Sequence, residues 1–136
     1  MNALSLLKIA LVVIGILCLL FYPITVVWPS GWSWHAGAPY QSDYFMMIVG
    51  IYATLGVFLI LAARDPLANR SLIWFTAVSS LVHGAIMIPQ SFGMSGGLNH
   101  MAHLTGDVPA LFGVAVILGG LLWKAGGVKS GRREPS

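Results

Sequence analysis

Four apolar runs, each about as long as a bilayer is thick, limit what this chain can fold into. They cover residues 5–27, 44–63, 71–89 and 107–124. A hydrocarbon core of roughly 30 Å takes about 20 helical residues to cross. Inside lipid the backbone must satisfy its own hydrogen bonds, so runs of this length read as transmembrane helices. What remains is short connections and a polar tail over residues 126–136, with no room for an extramembrane domain. Charged side chains are 8% of the 136 residues and hydrophobic ones 57%, against about 25% charge in an ordinary soluble domain. That balance excludes a soluble enzyme, a disordered tail and a free nucleic-acid binder. The single cysteine, Cys18, lies inside an apolar run and offers neither a disulfide framework nor a cysteine metal motif.

The first run contains Pro23, which removes a backbone donor and predicts a kink or an early exit near that residue. A cleaved signal peptide is the competing reading. The run is longer than the 7 to 15 or so residues of a signal core, and it ends in Trp28-Pro29 rather than at a small-residue site. A retained span is therefore expected. The basic residues set the orientation. Lys8, Arg64, Arg70, Lys124, Lys129, Arg132 and Arg133 all fall on one side of a four-span arrangement, and residues 28–43 and 90–106 contain neither Lys nor Arg. The positive-inside rule then predicts cytoplasmic termini and two outward connections. Trp28, Trp32 and Trp34 fall at the outer interface, Trp74 and Trp123 at the inner one. The turn Asp65-Pro66-Leu67-Ala68-Asn69-Arg70 is tight and makes the second and third spans a hairpin.

Chemistry collects on the outer side. His35, His83, His100 and His103 all lie there, with Met46, Met47, Met87, Met94 and Met101 and the acids Asp43 and Asp107. His83 is the deepest ionisable group, about 18 Å along its helix from Ser71, and Asp107 lies about 25 Å along from Lys124. Their depths differ by only about 7 Å, within reach of two side chains on neighbouring helices. An ionisable group in a span is a functional candidate by default, because burying it unpaired costs several kcal/mol. The plainer alternative is a neutral His83 bonded across the bundle and an Asp107 that caps its helix.

The segment Asn99-His100-Met101-Ala102-His103-Leu104-Thr105-Gly106-Asp107-Val108-Pro109 is the densest polar stretch. As one helix it would put His100, His103 and Asp107 on a single face, a spacing that presents two imidazoles to a metal with the Asp107 carboxylate as a ligand or as a partner behind them. Met101 beside them completes the candidate metal set of His100, His103 and Met101. Pro109 instead suits the first turn of a helix beginning at Asp107, which would set the histidine pair apart. Imidazole with thioether suits haem iron or Cu(I), and methionine equally suits gap filling in a small bundle. A ligand site built from His83, Asp107, His100, His103, His35 and Trp34 would take haem, copper or a quinone. The aromatic connection Trp28-Pro29-Ser30-Gly31-Trp32-Ser33-Trp34-His35 reads as an interfacial anchor or as a lid over that site. No nucleophile elbow, zinc-protease motif or haem-attachment motif is present.

Trp32-Ser33-Trp34-His35, the run Ser71-Leu72-Ile73-Trp74-Phe75 with His83, and His103-Leu104-Thr105-Gly106-Asp107-Val108-Pro109-Ala110-Leu111-Phe112 together resemble a family of uncharacterised small four-span bacterial membrane proteins. The likeness extends to about Trp123. It implies a bacterial inner-membrane protein and supplies no activity.

The expected fold is all-α: an integral membrane antiparallel four-helix bundle over residues 1–125 with a basic cytoplasmic tail after it. Three functions fit such a chain. The first is a structural or accessory protein, partnered by the lipid bilayer, by further copies of itself or by a larger membrane complex, with no catalytic signature and no nucleic acid. The second is an outer-side ligand or redox site. The third and weakest is a small transporter, because the inner halves of the spans offer a polar path only Thr54, Thr76 and Ser79.

Overall fold

The structure, a computed structural model, describes residues 1–27, 38–92 and 102–127. Among them every regular element is helical: α1 (Ala3–Leu19), α2 (Phe21–Val27), a 3-10 turn (Pro39–Gln41), α3 (Asp43–Ala62), α4 (Arg70–Ser91), α5 (Ala102–Thr105) and α6 (Asp107–Gly127). Helices α3, α4 and α6 are long and apolar enough to cross a membrane, and α1 with α2 makes a fourth candidate if the two count as one broken span. The all-α class read from the sequence holds. Exposed Ile9, Val13, Phe75 and Val116 give the outside an apolar skin that suits lipid rather than water.

The break in the first run comes at Leu20, where α2 turns 63° away from α1. Pro23 explains it. A continuous helix would need the nitrogen of residue 23 to donate to the Leu19 carbonyl, and proline has no N–H and clashes there. The helical bonds resume around the gap, with Leu20 N donating to Ile16 O and Ile24 N to Leu20 O at 2.9 Å each. Thr25 Oγ1 then donates to the Tyr22 carbonyl at 2.7 Å and fastens the new helix.

Two helix pairs organise the rest. The first is α1 on α3, joined where glycines meet. A Cβ placed on Gly56 would stand 2.6 Å from the Gly15 carbonyl oxygen, and one on Gly15 would stand 2.8 Å from the Gly56 oxygen. Only two glycines allow the backbones that close. The second pair is α4 on α6, running in opposite directions with a seven-residue beat. Gly84 meets Phe112, Ala77 meets Gly119, and the Arg70 guanidinium lies over Gly126. Helix α1 also packs on α6 and joins the pairs. By contrast α3 and α4 meet only sparsely, although a short turn connects them. The hairpin expected from that turn opens because each helix is committed to a different partner.

The buried core lies towards one end. Leu7, Leu11, Leu59, Ile73, Leu118 and Leu122 are fully enclosed there, with Ala62, Ala77 and Ala125 beside them. This end carries Lys8, Arg64, Arg70 and Lys124. Its turn is closed by Pro66, also fully buried, by Asp65 Oδ1 accepting the Ala68 N–H at 3.2 Å, and by Asn69 Nδ2 donating to the Asp65 carbonyl at 2.8 Å. At the opposite end, Ser42 caps α3 by accepting the Phe45 N–H at 3.2 Å.

Candidate functional site

The polar chemistry of the described residues gathers away from the basic end, where α3, α4 and α6 bring one side chain each. Tyr52 stands midway along α3 and His83 in the second half of α4. The Tyr52 hydroxyl and the His83 Nδ1 are 3.3 Å apart and share a hydrogen bond, the donor depending on the imidazole tautomer. This bond bridges the two helices that otherwise meet only sparsely. Asp107, the first residue of α6, is close enough to act electrostatically on both partners. Its height is set by Gly84, which follows His83 and seats α4 against Leu111 and Phe112, one turn into α6 from Asp107. A phenol, an imidazole and a carboxylate thus lie near one another among apolar helices. Such a group can hold a polar ligand head or relay a proton.

Aromatic rings wall the group on one side. The bend at Leu20 brings Phe21 over Tyr52, the ring centroids 4.6 Å apart and the planes 23° from parallel. Phe45 packs at 5.8 Å from Phe21 and 6.5 Å from Tyr22. Offset stacking of this kind fixes the Tyr52 ring and therefore aims its hydroxyl.

Among the residues picked out by sequence, His83 and Asp107 belong to this cluster. His103 falls in the short helix α5, with its side chain outside the described residues. A turn at Gly106 separates α5 from α6, so residues 102–107 are not one continuous helix, and Pro109 occupies the first turn of α6. Asp107 is therefore the first helical residue, at the positive end of the α6 dipole. Trp34, His35, His100 and Met101 lie outside the described residues, and the metal set of His100, His103 and Met101 lies with them. Among the described residues no group of three or more His, Cys, Asp or Glu side chains is placed to hold a metal ion.

Sequence reasoning missed Tyr52. A signal for it existed. Tyrosine in a span belongs near the interface, whereas Tyr52 stands about 13 Å along α3 from Asp43, deep enough to need a polar partner.

No curated protein and no solved structure matches this chain. A family model does, over residues 2–136, and its description is a family of unknown function. With nearly the whole length matched, the chain belongs to the family of unknown function DUF6632.

Proposed function

We propose that this chain is a small multi-pass protein of the bacterial inner membrane, an antiparallel four-helix bundle with both termini cytoplasmic, that works as an accessory or structural component by associating with itself or with a larger membrane complex. One observation carries the reading. Where α3 parts from α4, an apolar groove of about 580 Å³ runs along Met47, Gly50, Ile51, Thr54 and Phe58 of α3, with Leu72 of α4 on its other side. Gly50 has nothing within 4 Å of where a Cβ would stand. A bundle that closes tightly at one end and leaves a smooth helix face open along another flank suits a partner helix, since helices in lipid associate by close packing against small residues. Cysteine at Ile51 (Ile51→Cys), oxidised in native membranes, is expected to form a disulfide-linked species with another copy or with a partner subunit. Only monomer at every expression level would refute the accessory role. Reporter fusions after Gly37 and after Gly126 are expected to report opposite compartments, and the same compartment for both would sink the four-span topology.

A second reading is favoured by the Tyr52–His83 hydrogen bond with Asp107 beside it. On this reading the outer half of the bundle holds a ligand whose polar head enters between α3 and α4. An absorption spectrum and metal analysis of the detergent-purified protein test the haem and copper forms. A Soret band or stoichiometric copper that disappears in His83→Ala supports them, and a colourless, metal-free protein rejects both.

A further inference from the structure

The basic end holds a second cavity, unrelated to the Tyr52–His83 cluster. It has a volume of about 410 Å³ and is lined by Leu4 and Lys8 of α1 and by Arg64, Asp65, Pro66 and Leu67 of the α3–α4 turn. That is within the size range of small-ligand sites. Two cations and one carboxylate share the space. Neither Lys8 nor Arg64 has an ion-pair partner among the described residues. Asp65 is engaged elsewhere, its Oδ1 accepting the Ala68 N–H within its own turn.

Both cations are exposed and stand on backbone anchored in the core. Lys8 follows the fully buried Leu7 on α1, and Arg64 follows Ala62 and Ala63, both buried. Pro66, fully buried, lines the cavity with them, in a turn closed by the Asp65 and Asn69 hydrogen bonds. Arg70 is committed differently: its guanidinium lies over Gly126 near the α6 C-terminus, where the helix dipole is negative. Lys8 and Arg64 thus form a pair with a surplus of one positive charge over Asp65, held at the edge of an apolar exterior. Exposed Ile9 on α1 and Leu61 on α3 continue that exterior beside them.

We propose that this cavity binds the phosphate-bearing headgroup of an anionic phospholipid, with Lys8 and Arg64 on the phosphate and the acyl chains along the apolar surface of α1 and α3. Basic pockets between membrane helices take such headgroups for this reason: the phosphate gains two cations while the chains stay in hydrocarbon. The inference rests on the membrane-spanning reading alone and is independent of any partner helix or outer ligand.

The test uses the full-length protein in nanodiscs and in mixed micelles, with phosphatidylglycerol as the probe, phosphatidylcholine as the neutral lipid and inorganic phosphate as the free anion. Retention of phosphatidylglycerol over phosphatidylcholine, read by native mass spectrometry and lipid titration, is expected to fall about fivefold in each of Lys8→Gln and Arg64→Gln. It should rise in Asp65→Asn, which keeps the Oδ1 acceptor of the turn and removes the opposing charge. Lys124→Gln, at the same end but outside the cavity, should bind like the wild type. The helical circular dichroism of each variant reports whether it is folded, and Asp65→Asn gives a gain that misfolding cannot mimic. Equal binding by the Lys8→Gln/Arg64→Gln double variant and the wild type overturns the proposal. So does a loss in Lys124→Gln as large as in Lys8→Gln, which would mean diffuse charge rather than a site. Inorganic phosphate binding as tightly as phosphatidylglycerol would overturn the lipid assignment. The fusions after Gly37 and Gly126 report separately on the spanning topology, so failure of that reading is distinguishable from failure of this one.

Discussion

The two ends of the molecule are built on different principles. At the basic end, leucine, isoleucine and alanine from α1, α3, α4 and α6 interlock, and the buried Thr76 hydroxyl among them is bonded within its own helix to the Leu72 carbonyl. At the far end the contacts are a hydrogen bond, a carboxylate's field and stacked rings. Lipid tails are as apolar as leucine, so packing in a membrane is stabilised by how closely backbones approach and by interhelical hydrogen bonds rather than by escape from water. The basic end uses the first device, and the far end adds the second to it, Gly84 seating α4 on Phe112 beside the Tyr52–His83 bond. It follows that the close-packed end sets stability, while the far end can change its chemistry at low energetic cost.

Substitutions test that division. The largest effect is expected from Gly56→Ala, because the new methyl would meet the Gly15 carbonyl, a backbone atom that moves only if α1 and α3 part. We expect a loss of about 3 kcal/mol in reversible unfolding by denaturing detergent, near the upper range for overpacked sites. A variant as stable as wild type would break the comparison. Tyr52→Phe keeps the ring on Phe21 and removes the bond to His83; its cost should be about 0.6 kcal/mol, the average for a hydrogen bond between membrane helices. A cost equal to that of Gly56→Ala would mean that the far end is structural too. The smallest effect belongs to Gly50→Ala, where nothing stands within 4 Å; stability should change by no more than about 0.5 kcal/mol. If the same variant weakens crosslinking through Ile51→Cys, the open face of α3 is a contact surface and not part of the fold.

Much of this arrangement could be read from residues alone, and the limits have physical causes. The spans were legible because bilayer thickness fixes a length, and α3, α4 and α6 lie within a few residues of the runs that announced them. Pro23 announced the break at Leu20 because proline's missing donor acts on the carbonyl four residues earlier. Helix pairing was not legible. A soluble helix shows its partner through an apolar stripe, but helices in lipid are apolar all round, and glycines such as Gly15 and Gly56 mark a crossing without saying which helix is crossed. His83 and Asp107 stood out because ionisable groups are conspicuous in apolar runs. Tyr52 hid among aromatic residues that are common at interfaces. Trp34, His35, His100 and Met101 lie outside the described residues.

The bend at Leu20 also changes the reach of α1 and α2 when the pair is counted as one broken span. Helix α1, with 17 residues, rises about 25 Å, less than the roughly 30 Å of hydrocarbon. Helix α2, with 7 residues set 63° off that axis, adds only about 5 Å of height while travelling about 9 Å sideways. Counted as one broken span with α1 along the membrane normal, the two together would match that thickness, the second mostly by spreading. Straightened through Leu20, the helix from Ala3 to Val27 would overshoot a layer of roughly 30 Å by about 7 Å and carry Phe21 up and away from Tyr52. One proline thus shortens the reach of the α1–α2 pair and, by the same displacement, roofs the polar group beneath it with an aromatic ring.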